Sequence, residues 1–195
     1  MVTLNEKKMP KRSRRDHLIN TAITLFCEHG YHATGIDKLL DTAGVSKKTM
    51  YQHFRSKEEL IYAALSQYDS IFRNNFMKAV ESSASTPKQK LIAVFDVAEQ
   101  WFSDNKFFGC MFINAIGEYS EQDTPIRNIS KQFKQHMWDY VMKLAEEADA
   151  PNPKELADQL CLLLEGAIVT AQVSQKPNAA KTAKNIAKNL IEAQI

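Results

Sequence analysis

Apolar residues recur three and four positions apart along most of the chain, in runs too long for strands, so the pattern predicts helices. From about residue 12, Leu18, Ala22, Leu25 and Phe26 share one face, widened by Ile19 and Ile23. Gly30 closes that run in the left-handed position glycine takes cheaply. Thr34 is placed to cap a short second helix that turns Ile36, Leu39 and Leu40 inward and stops at Gly44. Ser46 caps a third helix of about seven residues, with Phe54 as its apolar plug. Ser56-x-x-Glu59 reads as a capping box opening a fourth helix. That helix reaches about Glu81, roughly 39 Å at 1.5 Å per residue. Residues 82–87 are a small, polar linker. Helices are then expected over 88–104, 110–119, 125–148 (carrying Ile129, Phe133, Trp138, Val141 and Leu144), 154–174 and 178–193, the last two separated by Pro177.

Composition agrees with an all-α fold. Only 6 Gly and 6 Pro punctuate 195 residues, and 44% of them are apolar, enough for a real core. The net charge of +2 conceals an asymmetry. Residues 1–60 carry 11 Lys and Arg against 7 Asp and Glu, a balance of +4. The rest carries 14 against 16, a balance of −2. A basic end on a mildly acidic body points to a polyanionic partner for that end. Residues 1–11, with Lys7, Lys8 and Lys11, read as a flexible basic arm.

Several classes are disfavoured. The three cysteines, Cys27, Cys110 and Cys161, form no CxxC pair, so no zinc site or disulfide framework is signalled. The N-terminus lacks a signal-peptide core. The apolar run from Cys161 to Val173 is interrupted by Glu165 and is shorter than the roughly 20 residues of a membrane span. A cytoplasmic protein without membrane, metal or cofactor is expected. Glu99, Glu118, Asp123 and His136 fall at no spacing suited to acid/base catalysis, and no phosphate-cradling glycine loop is present, so an enzyme is not expected. His29-x-x-His32 sits at a helix end and reads as a solvated face rather than a metal site.

The stretch "GVSKKTMYQHFRSKEEL" carries the chemistry. Two helices joined by a tight glycine turn, the second studded with donors, are the layout of a helix-turn-helix. Val45, Met50 and Phe54 supply an inward face. Lys47, Lys48, Thr49, Tyr51, Gln52 and His53 are left outside. Lysine suits guanine edges or phosphate, glutamine suits adenine, and threonine can meet a thymine methyl. Lys57 stands beside the free N–H groups that begin the fourth helix, another place for a phosphate.

At these residues the chain resembles the DNA-binding domain of the TetR family of bacterial transcriptional regulators. Phe26, Gly30-Tyr31, Thr34, residues 43–46 (Ala-Gly-Val-Ser), Thr49-x-Tyr51-x-x-Phe54 and residues 56–60 (Ser-Lys-Glu-Glu-Leu) match the family pattern over about residues 12–62. Leu40 departs from it, where alanine is frequent. The resemblance implies a homodimer on palindromic double-stranded operator DNA, usually a repressor, released by a small-molecule inducer. An activator of the same fold is the alternative sign. It also implies backbone contacts from Thr34, Tyr51, His53 and Lys57. Lys47, Lys48, Thr49 and Gln52 are the candidates for base edges, with Ser46 completing the set.

The division expected is a basic arm (1–11), a three-helix DNA-binding domain (12–55) and a larger helical ligand-binding and dimerisation domain (56–195). Within the last, Phe95, Trp101, Phe112, Met137 and Trp138 are candidate pocket residues. Few charges lie among them, which suggests an apolar or aromatic ligand. The helix over 154–174 is apolar nearly all round. With the last helix it supplies Leu156, Leu160, Leu163, Leu164, Ala167, Ile186 and Leu190 as the dimer interface the resemblance implies; packing within one subunit is the alternative. Cys110, beginning "CMFINAIGEY", is a candidate thiol sensor of electrophiles or oxidants, against the reading of a small buried residue. A bacterial, nucleoid-associated location follows from the same resemblance.

Overall fold

The computed structural model describes residues 14–174 and 178–195. These form nine α-helices and no strand: α1 (Arg14–His29), α2 (Ile36–Ala43), α3 (Lys47–His53), α4 (Lys57–Ser83), α5 (Pro87–Phe102), α6 (Met111–Glu118), α7 (Pro125–Glu147), α8 (Pro153–Ser174) and α9 (Asn178–Gln194). The arm expected over residues 1–11 lies outside the described residues, as does Pro177.

Helix starts follow the capping chemistry written in the sequence. The side-chain oxygens of Ser46, Ser56, Thr86 and Thr124 each accept the backbone N–H three residues on, at 3.2 to 3.3 Å. Pro87 and Pro125 follow two of these caps, where a missing N–H costs nothing. The expected box at Ser56 closes one residue early: Glu59 accepts from the N–H of Arg55 at 2.6 Å rather than from that of Ser56.

Thr34 is not the cap of α2. Gly35 holds that position, without a side-chain bond. The Thr34 hydroxyl lies instead within bonding distance of the carbonyls of Gly30 (2.7 Å) and Leu25 (3.2 Å), and the residue is fully buried. It ties the α1–α2 turn back onto α1, satisfying carbonyls at a helix end that lacks further turns to do so.

Helices α1 to α3 form a small head on the first turns of α4. Leu18, Phe26, Leu39, Met50 and Phe54 from the head join Leu60, Ile61 and Leu65 of α4 in one buried cluster. The remaining helices form the body, with α8 packed between α7 and α9, α5 against α9, and α6 against α7. Its centre is aromatic: the rings of Phe112 and Phe133 stack at 3.9 Å, and Phe72 meets Trp101 edge-on at 4.8 Å. Lys184 pairs with Asp96, linking α9 to α5. Tyr140 donates to Glu81 at 2.8 Å, linking α7 to α4.

Helix α8 has the length and hydropathy of a membrane span, contrary to the expectation from its Glu165-interrupted run. Its packing explains one of its two apolar faces. Leu156, Leu160, Leu164, Ala167 and Ile168 are buried among the body helices, so it serves as a core helix.

Candidate nucleic-acid interface

The geometry of α3 follows from three fixings. Gly44 adopts φ 61°, ending α2 with the Gly44 and Val45 amides bonded to the Asp41 and Leu40 carbonyls. Ser46 caps α3 through the Thr49 amide and also bonds the Thr49 hydroxyl at 3.0 Å. Met50 and Phe54 anchor the helix from beneath, and the Arg15 guanidinium lies 5.2 Å from the Phe54 ring centre. His17 donates from Nε2 to the Ala43 carbonyl at 3.0 Å, holding α1 to the end of α2.

What remains outward is a polar surface on a seven-residue helix about 10 Å long, short enough for a B-DNA major groove about 12 Å wide. Lys47, Lys48, Tyr51, Gln52 and His53 are exposed, and Lys57 is half-buried at the start of α4. Two of the expected contacts do not belong to this surface. Thr34 is sealed in the core. Thr49 is 8% exposed and spends its hydroxyl on Ser46, so neither offers a free group to a base or phosphate. Ser46 is occupied as the cap. The pattern "Ser-x-x-Thr" contained that signal, since a cap and its third residue face one another.

Behind the head a second set of contacts fastens it to the body, and sequence reasoning missed it. Glu118, the last residue of α6, accepts the backbone N–H groups of Tyr31 (2.8 Å) and His32 (2.6 Å) and the His32 ring at 2.9 Å. Burial works to raise the Glu118 pKa. The bonds from His32 and Tyr31 outweigh it and hold the carboxyl below its ordinary value. The Tyr31 phenol, buried, donates to the Met111 carbonyl at 2.8 Å, and the His32 ring stacks on Tyr119 at 4.8 Å. Gly30, at φ 81°, leaves room for this: a Cβ there would stand 2.8 Å from a Glu118 oxygen.

The body's aromatic centre holds a crevice of only about 40 Å³. Trp101 and Met137 line it, together with Phe72, Phe133 and Leu164. Phe95 and Phe112 do not; both are fully buried, Phe112 against Phe133. Trp138 points elsewhere, its indole N–H donating to Asp158 at 2.7 Å on an exposed face. An open cleft of about 870 Å³ lies instead beside the head, between the start of α4 and the α6–α7 segment.

Cys110 caps α6 and is 3% exposed. Burial, followed by the neighbouring Cys110, pushes the Cys27 thiol up to about 11, and burial pushes Cys161 to about 12. At 3% exposure Cys110 is a packed residue, which does not favour the sensor reading. The residues expected at a dimer interface divide likewise. Leu156, Leu160, Leu164 and Ala167 are buried inside the subunit, Leu163 and Leu190 are half-buried, and Ile186 is exposed. The apolar side chains actually exposed on these two helices are Leu162, Val169 and Val173 of α8 and Ile186 of α9, with Leu162 and Val173 at 75% and 77% exposure. The seven-residue stripe mixed the two faces because α8 is apolar on both.

Comparison with known proteins bears on both halves. Residues 18–64 match the model of bacterial regulatory proteins of the tetR family, and residues 87–187 match the tetracyclin repressor-like C-terminal domain. The chain is 24% identical over 181 residues to the HTH-type transcriptional regulator YjdC of Escherichia coli, covering 91% of this chain and 93% of that protein. It is 26% identical over 176 residues to IcaR, the negative transcriptional regulator of the biofilm operon icaADBC in Staphylococcus aureus, covering 88% and 91%. Among solved structures, a TetR-family transcriptional regulator from Streptomyces coelicolor superposes with a TM-score of 0.85 at 26% identity, over 93% of this chain and 95% of that one.

Proposed function

The chain belongs to the TetR family of bacterial transcriptional regulators, which are DNA-binding proteins and not enzymes, and on that premise we propose that it represses transcription as a homodimer on a palindromic operator. The observation that carries this reading is α3 itself: a rigidly capped, groove-sized helix with Lys47, Lys48, Tyr51, Gln52 and His53 turned outward. Tyr51, His53 and Lys57 hold the phosphate backbone, and Lys47, Lys48 and Gln52 read base edges. The head (12–55) reads DNA, and residues 56–195 carry dimerisation and ligand response.

Two heads must reach successive major grooves about 34 Å apart. The apolar surface of Leu162, Val169, Val173 and Ile186 supplies the two-fold contact, since a self-complementary patch suits a symmetric pair. Repression in the cytoplasm, on the nucleoid, is relieved by a small apolar or aromatic ligand among the body helices. At about 40 Å³ the central crevice has room for little more than one water, so the ligand must part Phe72, Trp101 and Phe133 to enter. That displacement tilts α4 and changes the separation of the heads. A ligand acts this way only through unequal affinity for the two states.

The experiment is affinity selection from a random duplex pool with the full chain. An enriched inverted repeat with half-site centres one or more helical turns apart supports the reading. A pool that stays random, or enrichment of a single asymmetric site, refutes it.

A further inference from the structure

The lysines and arginines around α3 are free of carboxylates. Among the described residues, the ion pairs made by Lys and Arg all lie at Arg73 or beyond it in the chain. Arg14, Arg15, Lys47, Lys48, Arg55 and Lys57 enter none, and no hydrogen bond holds their side chains. One of these six is nonetheless fixed. Arg15, exposed on the first turn of α1, lays its guanidinium over the Phe54 ring, 5.2 Å from the ring centre. Phe54 ends α3 and is 1% exposed. The ring of His53 meets the same phenyl edge-on at 6.4 Å. Phe54 therefore seats a permanent cation from α1 beside His53, itself a proposed phosphate contact.

A guanidinium over an aromatic ring is held without spending its N–H donors, and these match phosphate oxygens in pairs. Its methylene stem covers apolar surface while the charged end stays in water. An unanchored surface arginine gives up rotamer freedom when it meets an anion. Arg15 has given up part of that freedom on folding, so less is lost on binding. We propose that Arg15 is a backbone-phosphate contact set in place by Phe54, which extends the DNA-binding surface from α3 and the start of α4 onto α1. The assignment rests on the operator reading of α3. Phosphates are alike at every base step, so Arg15 adds affinity for any duplex and no sequence preference. A role limited to covering Phe54 would need the methylenes of Arg15 and not its charge, and this separates the two.

The test uses the full chain, unaltered and as Arg15→Met and Arg15→Lys. Fluorescence anisotropy follows binding to the duplex enriched from the random pool and to an unrelated duplex, between about 50 and 200 mM salt. Arg15→Met keeps an unbranched apolar stem over Phe54 and removes the charge. Its slope of log K against log salt should be smaller by about 1 on both duplexes, and its affinity at the low-salt end roughly tenfold weaker. Its preference between the duplexes and its urea midpoint should match those of the unaltered chain. Arg15→Lys should keep the slope. Should Arg15→Met perturb folding, Arg15→Gln carries the same expectation. An undiminished slope in the uncharged variant, or a lost preference at constant slope, overturns the proposal while the operator reading stands. An unaltered chain that binds neither duplex overturns the operator reading, and this proposal with it.

Discussion

Glu118 holds His32 twice with one oxygen: Oε2 accepts the backbone N–H of His32 at 2.6 Å and its ring Nδ1 at 2.9 Å. His32 lies in the turn between α1 and α2, and Glu118 ends α6. The bond therefore crosses from the DNA-reading head to the body, and with Tyr31 it sets how the head sits on the rest of the molecule.

Glu118→Gln is expected to destabilise the protein by about 1–3 kcal/mol at neutral pH, the usual cost of weakening charge-assisted bonds to partly buried amides. The folded carboxyl titrates below its ordinary value of 4.5. Its contribution is thus complete above that value and is lost as pH falls through the lower, folded pKa. Thermal unfolding of both proteins from pH 7 to pH 3 checks this: the gap in Tm should close on the acid side. A gap constant with pH, or none at pH 7, contradicts the assignment.

Thr34 and Gln52 should separate stability from recognition. Thr34→Val leaves the carbonyls of Gly30 and Leu25 without their shared donor and should cost about 1–3 kcal/mol in urea unfolding while preserving sequence preference. Gln52→Ala should leave stability within about 0.5 kcal/mol, because the side chain is exposed. It should relax one operator position by about 1–3 kcal/mol. Swapped outcomes would mean that the two roles are misassigned.

Lys57→Ala should weaken binding to all duplexes alike. It should also reduce the slope of log K against log salt by about 1, as expected for one lost phosphate contact. Fluorescence anisotropy at several salt concentrations measures it; an unchanged slope removes Lys57 from the backbone contacts.

Leu162→Glu combined with Val173→Glu should yield folded monomers. Both side chains are exposed in the isolated subunit, so charging them costs the subunit little. Sedimentation equilibrium should show the mass of one chain with helicity retained. A dimer of undiminished affinity would place the interface elsewhere.

The helices were legible because their signals are local. Ser46 and Ser56 cap where the sequence places them, and Gly30 and Gly44 end helices in the left-handed conformation. The outward set on α3 was legible to within Thr49, whose hydroxyl turns back to its own cap. What eluded the sequence depends on contacts distant along the chain. Glu118 bonds residues 86 and 87 positions away, and nothing near it announces a partner. The pocket candidates divide for a related reason. Phe95 and Phe112 have the same composition signal as Trp101, and only packing decides which ring faces a void. On α8 two apolar faces overlapped, so periodicity could not tell the core from the exposed surface.

The central claim is that α3 reads DNA through its exposed side chains from a rigidly held head. The most direct measurement is anisotropy of the duplex enriched from the random pool, titrated with the unaltered chain and with a Lys47→Ala, Gln52→Ala variant at moderate salt. The account expects tight binding by the first and loss of preference over unrelated duplexes by the second, with unfolding free energies matching. Equal discrimination by both proteins would contradict it.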